Sequence, residues 1–177
     1  MPATDFLVYL GGGKARDGDL EAHAREHNLA VVNIDTKHGG YGHNLTRREV
    51  TQALVRLASH PRCRCVVVSI PCGTWSALRY VKPGPDVLRR LPHHAEGIPR
   101  EDRTLPKKVT LANTMLDNAI EVVDAACEHG ADAMFESPVS RDANSPHAIN
   151  GREDHASMWS YPALGRLAAR RGMSGVA

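Results

Sequence analysis

Apolar residues along this chain follow two alternating rhythms, and the alternation predicts a fold. "DFLVYL" is a short apolar run stopped by Gly11-Gly12-Gly13, and "DGDLEAHAREHN" then carries helix formers behind an acidic start. "LAVVNID" is a second buried run ending on Asp35. The glycine-rich "KHGGYGHN" leads from it into "REVTQALVRLASH", where apolar residues recur at helical spacing. "CRCVVVSI", rich in β-branched residues, predicts a third strand. From Pro71 to Pro106 the chain is proline-rich and has no sustained period, which predicts one long loop, and loops of that length in compact domains are usually functional or disordered. "KKVTLANTMLDNAIEVVDAACEHG" returns to helical spacing with a glycine stop, and "ADAMFES" predicts a fourth strand.

Strands alternating with helices predict an α/β fold, with a mostly parallel sheet and helices on both faces. In such sheets ligands bind beyond the carboxyl ends of the strands, so the residues at which each strand stops carry the chemistry. Here those residues are Gly11 to Gly13, Asp35, Pro71-Cys72 and Glu136-Ser137-Pro138. Each has a structural reading beside the functional one. The glycines fit an ordinary turn as well as close backbone approach to a ligand. Asp35 fits a helix cap as well as an acceptor for a ribose hydroxyl pair. Glu136 fits a surface carboxylate, although an acid ending a buried strand is costly without a partner or a task. Cys72 fits a small buried hydrophobe as well as a nucleophile held over a cleft.

Composition narrows the field. The 177 residues, 42% of them hydrophobic, are enough for one core, so a single domain over 1–177 is expected, with a long basic loop at about 71–106. No apolar run is long enough to cross a bilayer, and "MPATDFLVYLGGG" lacks the order of a signal peptide, so a cytoplasmic protein without a membrane partner is expected. In that compartment Cys63, Cys65, Cys72 and Cys127 are expected as thiols. His60, Cys63 and Cys65 fit no common zinc spacing, and no metal is expected. The net charge of +2 does not announce a nucleic-acid binder. The charge is uneven, however: Arg79, Lys82, Arg89, Arg90, Arg100, Arg103, Lys107 and Lys108 face only Asp86, Glu96, Glu101 and Asp102 over the same stretch. Such a segment suits phosphates, and equally a solvated arginine-rich loop.

Known phosphate loops do not account for the motifs. A Walker A loop is excluded because Gly13-Lys14 is followed by Ala15 and Val8 stands where its first glycine belongs. A cysteine-phosphatase cradle is weakened by the six residues between Cys72 and Arg79, where five are needed. What remains for Cys72 is attack on an electrophilic ring carbon, which needs a thiolate, an acid to neutralise the ring and a bound electrophile.

"IPCGTWS" resembles the Pro-Cys motif of the cytosine-C5 DNA methyltransferases, and "FESP" resembles their Glu-Asn motif. "LGGGKARDGDL" resembles their S-adenosylmethionine loop, and "VVNID" the strand whose acid holds the ribose. "PCGTWSALR", "LANTML", "FESPVSRD" and "SMWSYPALGRLA" occur in the same order in a divergent group of such proteins from phages and mobile elements, and the resemblance runs from about Leu7 to Leu167.

The resemblance implies a Rossmann-like, S-adenosylmethionine-dependent methyltransferase sheet that lacks the final strands of a complete one. It implies that Cys72 attacks C6 of a cytosine, that Glu136 hydrogen-bonds at N3, and that C5 takes the methyl group. Gly11, Gly12, Gly13, Asp35, Asn44, Leu45 and Pro71 would line the cofactor pocket. Arg79 would serve the catalytic site, and Trp75, Ser76, Arg89, Arg90, Lys107 and Lys108 would meet the base or its phosphates. The implied partner is nucleic acid, DNA foremost, or a pyrimidine nucleotide, with a homo-oligomer as a further expectation, since a partner chain can supply a missing strand. A duplex target would have to be flipped from its stack. Gly73 stands where the family usually has glutamine, Ser137 where it has asparagine, and Asn44 where an acid often meets the adenine. Two alternatives stay open: another cysteine-dependent enzyme of nucleotides or nucleosides, and a degenerate module that binds without chemistry.

Overall fold

The computed structural model describes residues 4–14, 16–81, 83, 85–148 and 150–175, which leaves Lys82 of the basic segment outside the described residues. Four strands, β1 (Phe6–Leu10), β2 (Ala30–Ile34), β3 (Cys63–Val68) and β4 (Asp132–Phe135), form one sheet in the order β2-β1-β3-β4. All three pairings are parallel, as the alternating pattern predicted. The central strands are the continuous apolar runs. Phe6, Leu7, Val8 and Leu10 of β1 and Val66, Val67 and Val68 of β3 are buried, each side chain contributing about 1.5–3 kcal/mol. The edge strands β2 and β4 are less covered.

Five α-helices accompany the strands among the described residues: α1 (Leu20–Glu26), α2 (Thr36–Gly39), α3 (Arg48–Ala58), α4 (Lys107–Glu128) and α5 (Pro162–Arg171). Asp19 starts α1 by accepting the Ala22 N–H at 2.9 Å. Val50, Leu54 and Ala58 put one buried stripe on α3, which packs on β3, while α1 packs on β2. Gly130, at φ +82°, follows the end of α4, and Gly172, left-handed at φ 64°, ends α5.

The chain groups into two compact units. The first, Met1–Ile70 with Thr114–Glu136, holds the sheet. The second, Pro71–Asn113 with Ser137–Ala177, is built from the segments that follow β3 and β4, and α4 belongs to it as far as Asn113. The proline-rich segment predicted as a loop is therefore folded. It contains a 3₁₀ turn over Ala77–Tyr80 and an antiparallel bridge between Arg90 and His94, and it buries Trp75, Leu88 and Ala95.

Register brings the strand ends of the first unit to one rim. Leu10 pairs with both Ile34 and Val68, and Val68 pairs with Phe135. The residues just past those ends continue the ladder, with Gly11 N–H bonding Ile34 O, Ser69 N–H bonding Leu10 O and Glu136 N–H bonding Val68 O, each at 2.8 Å.

Candidate functional site

Beyond the carboxyl ends of β1 and β2 lies a cavity of about 260 Å³, lined by Gly13, Lys14, Glu21, Asn33, Asp35, His38, Gly39 and His43. The connections from β1 and β3 run in opposite directions, so the switch point of the sheet, where open parallel sheets take ligands, lies between these two strands, and the cavity adjoins it on the β2 side of β1.

The three glycines have different tasks. A Cβ on Gly11 would fall 2.4 Å from the Ser69 carbonyl oxygen, and its φ is +83°. One on Gly12 would fall 2.5 Å from the Tyr9 ring and 2.8 Å from Asn33 Oδ1. Both glycines are thus required by the packing of the protein itself. At Gly13 no atom of the described residues, its chain neighbours aside, lies within 4 Å of the Cβ position, and this glycine lines the cavity. Asn33 Nδ2 donates to the Gly13 carbonyl at 3.1 Å, so β2 fixes the orientation of that peptide.

Asp35 is both cap and cavity wall. Its Oδ1 accepts the Lys37 N–H at 2.8 Å to start α2, and the residue lines the cavity. Asn44 and Leu45 are not among the lining residues. Asn44 Oδ1 accepts from Thr46 N–H at 3.0 Å and Thr46 Oγ1 at 2.8 Å ahead of α3, and Leu45 is buried with its carbonyl bonded to Asn118 Nδ2 at 2.6 Å. Lys14, Glu21, Asn33, His38, Gly39 and His43 were not anticipated as site residues. The available signal was the glycine density of "HGGYGH", which sets two histidines beside residues with no side chain.

The second unit contains the Cys72 turn. Trp75 N–H bonds Cys72 O at 2.9 Å, closing Cys72-Gly73-Thr74-Trp75, and Cys72 is half-buried. Four further contacts hold the turn. Arg89 Nη2 donates to Thr74 Oγ1 at 3.2 Å, and the Arg89 guanidinium carbon lies 4.1 Å from the centre of the Trp75 ring. His155 Nε2 donates to Trp75 O at 2.8 Å, and Tyr161 meets the indole edge-on at 6.5 Å. Trp75 is 3% exposed and anchors the turn in the core, the structural alternative to stacking on a base.

Arg89 corrects the expectation of a surface phosphate contact, since it is 1% exposed. Its guanidinium also donates to Ala95 O at 2.8 Å and Asn113 Oδ1 at 2.7 Å, and it has no ion-pair partner among the described residues. Burial pulls its pKa down to about 10, so it remains a cation at neutral pH. Asn113 in turn donates to Glu96 O at 2.8 Å and is linked to the cysteine turn through Arg89.

The remaining candidates are placed as follows. Arg79 bonds the backbone of its own segment, at Gly73 O and at Asp86 O, the latter at 3.0 Å. Arg90 pairs with Asp154. Ser76 caps the 3₁₀ turn through Leu78 N–H at 3.3 Å, Pro71 is exposed, and Lys107 and Lys108 are exposed at the start of α4. Glu136 is exposed at the end of β4. Ser137 Oγ is buried with no hydrogen-bond partner among the described residues.

The thiols at the start of β3 are ill suited to nucleophilic work. Burial raises Cys63, and burial together with the Asp132 carboxylate pushes Cys65 up to about 11. Among the described residues no group of three or more His, Cys, Asp or Glu is arranged to hold a metal, and no helix is long and apolar enough to cross a membrane. Comparison with protein-family models, curated proteins and solved structures finds no match.

Proposed function

We propose that the chain is a Rossmann-like, S-adenosylmethionine-dependent methyltransferase acting on cytosine, in nucleic acid or as a smaller pyrimidine substrate, with Cys72 as nucleophile. The observation that carries this reading is the cavity at the carboxyl ends of β1 and β2, where an unobstructed Gly13 and the Asp35 carboxylate meet. A glycine with free space at its Cβ position allows close approach of a ligand, and an acid ending the second strand suits a ribose hydroxyl pair. The volume lies just under the roughly 300 Å³ at which pockets for drug-sized ligands begin, which suits the nucleoside portion of such a cofactor.

In this reading Gly13 and Asp35 hold the cofactor, which supplies an electrophilic methyl group. The Cys72 thiolate adds to C6 of the pyrimidine, forming a carbon–sulfur bond and making C5 nucleophilic. Glu136 donates a hydrogen bond or proton at N3, where negative charge would otherwise collect. After methyl transfer, loss of the C5 proton and departure of the thiolate restore the ring. The clamped turn supports this role, because a nucleophile fixed before the substrate arrives needs no ordering during reaction.

Titration with S-adenosylhomocysteine tests the reading, with Asp35→Asn as the control, since asparagine keeps the cap of α2 and removes the carboxylate. Micromolar binding by the wild type that Asp35→Asn weakens is expected. So is a covalent adduct with a 5-fluorocytosine oligonucleotide that Cys72→Ser abolishes. Folded protein with neither property is not a methyltransferase of this kind.

A further inference from the structure

Within the cavity, Gly39 and His43 stand in an arrangement that the chain's own folding does not explain. A Cβ on Gly39 would fall 1.9 Å from His43 Nδ1 and 2.0 Å from its Cγ. The Gly39 backbone sits at φ −101°, ψ 0°, which any L-residue adopts. Glycine is therefore needed at this position to seat an imidazole, and the backbone itself makes no such demand.

The ring is oriented as well as seated. Asp35 N–H donates to His43 Nδ1 at 3.4 Å, and Thr36 Oγ1 donates to the His43 carbonyl at 3.2 Å. A ring nitrogen that accepts a backbone N–H carries no proton, so the neutral imidazole holds its proton on Nε2. Asp35, Gly39 and His43 all line the cavity. Asp35 Oδ1 is taken by the cap, and Oδ2 has no partner among the described residues. The end of β2 thus offers a fixed acceptor, the Asp35 carboxylate, and a fixed donor, His43 Nε2–H.

We propose that His43, seated by Gly39 and oriented by Asp35 N–H, is a specificity residue for the ribose of a ribonucleoside-bearing ligand. One hydroxyl of the vicinal diol donates to Asp35, and the other accepts from His43 Nε2–H. A 2′-deoxyribose offers only one of the two hydroxyls, so it leaves one of the protein groups unpaired. This rests on the reading above that the cavity takes a nucleoside-bearing cofactor, but the methyl donor and ATP present the same diol, and it does not depend on which of them binds.

The test is calorimetric titration of wild type, Gly39→Ala, His43→Ala and the double variant with S-adenosylhomocysteine, adenosine, 2′-deoxyadenosine and ATP. One neutral hydrogen bond corresponds to a change on the order of tenfold in affinity. His43→Ala is expected to weaken binding by about that factor and to erase the preference for adenosine over 2′-deoxyadenosine. Gly39→Ala, which leaves the imidazole in the chain but removes its seat, is expected to do the same. The double variant is expected to be no worse than either single one.

If S-adenosylhomocysteine binds and none of the variants changes its affinity or the ribose preference, the role of His43 is overturned while the methyltransferase reading stands. If S-adenosylhomocysteine fails to bind but adenosine or ATP binds with the expected sensitivity, the methyltransferase reading falls and the role of His43 stands. Absence of binding by all four ligands overturns both. Should Gly39→Ala not fold, the ribose preference of His43→Ala decides alone.

Discussion

His155 donates from Nε2 to the Trp75 carbonyl at 2.8 Å across eighty positions of sequence, while its Nδ1 accepts the Arg141 N–H at 3.0 Å. One neutral imidazole therefore ties the cysteine turn to the segment that follows β4, and both of its nitrogens are committed. The ring is buried, so a variant without it leaves two backbone groups unpaired in the core. His155→Ala is expected to lose about 2–4 kcal/mol in urea unfolding. His155→Phe keeps the bulk of the ring but not its bonds and is expected to lose at least about 1 kcal/mol. A phenylalanine variant as stable as the wild type would show that the two bonds contribute nothing.

Arg89 joins Thr74, Ala95 and Asn113 with one guanidinium lying over Trp75. Lysine keeps the charge but lacks the planar fork, so it cannot satisfy three acceptors and stack at once. Arg89→Lys is expected to destabilise the protein by about 1–3 kcal/mol. It is also expected to change the rate at which Cys72 is alkylated in the native state, measured by peptide mapping after timed exposure to iodoacetamide. An unchanged unfolding midpoint would mean that the fork is dispensable.

Gly11 and Gly13 both have positive φ and differ in what surrounds them. Gly11→Ala meets the Ser69 backbone and is expected to cost more than about 3 kcal/mol, or to prevent folding. Gly13→Ala meets open space and is expected to cost only about 1–2 kcal/mol of backbone strain while obstructing the cavity. Thermal melting with and without S-adenosylhomocysteine separates the two outcomes, and equal destabilisation by both substitutions would contradict the division of roles.

Cysteine chemistry should divide along the chain. Cys65, pushed up to about 11 mainly by burial, is expected to resist alkylation at pH 8, and Cys63, raised by burial too, should follow it. Raising the folded pKa of Cys65 above the ordinary thiol value of 9.0 favours the neutral thiol in the native state. Its contribution to stability is therefore complete below pH 9 and is lost as the pH rises toward about 11. Cys65→Ser should flatten that part of the alkaline stability profile. Labelling of Cys65 in folded protein at the rate of Cys72 would refute the assignment.

The sheet was legible in the sequence because its signals are local. The β-branched run at Cys63–Val68 and the apolar run at Phe6–Leu10 became the two central strands, where continuous burial asks for such runs. The structure of 71–106 was not legible, because nothing within the segment shows what it packs on. Tyr80 Oη reaches Asp154 O at 3.2 Å, and Trp75 rests on Tyr161, both far away in sequence. The same limit explains Arg89, which counts as one more charge in a basic stretch and is in fact a core residue. The sequence leaves Asp35 open between cap and ligand acceptor; in the structure it caps α2 and also lines the cavity. His43 was not anticipated, since its seat on Gly39 is a relation in space between residues whose spacing carries no motif.

The position of β4 has a consequence for the order in which the chain acquires its structure. β1, β2 and β3 pair within the first seventy residues, but β4 joins β3 only after roughly sixty residues have been looped back, an entropic demand that grows with the logarithm of that length. Both segments of the second unit flank β4, and His155 cannot find Trp75 until each of them exists. A nascent chain should therefore complete the three-stranded nucleus first, and the cysteine turn should be among the last parts to become rigid.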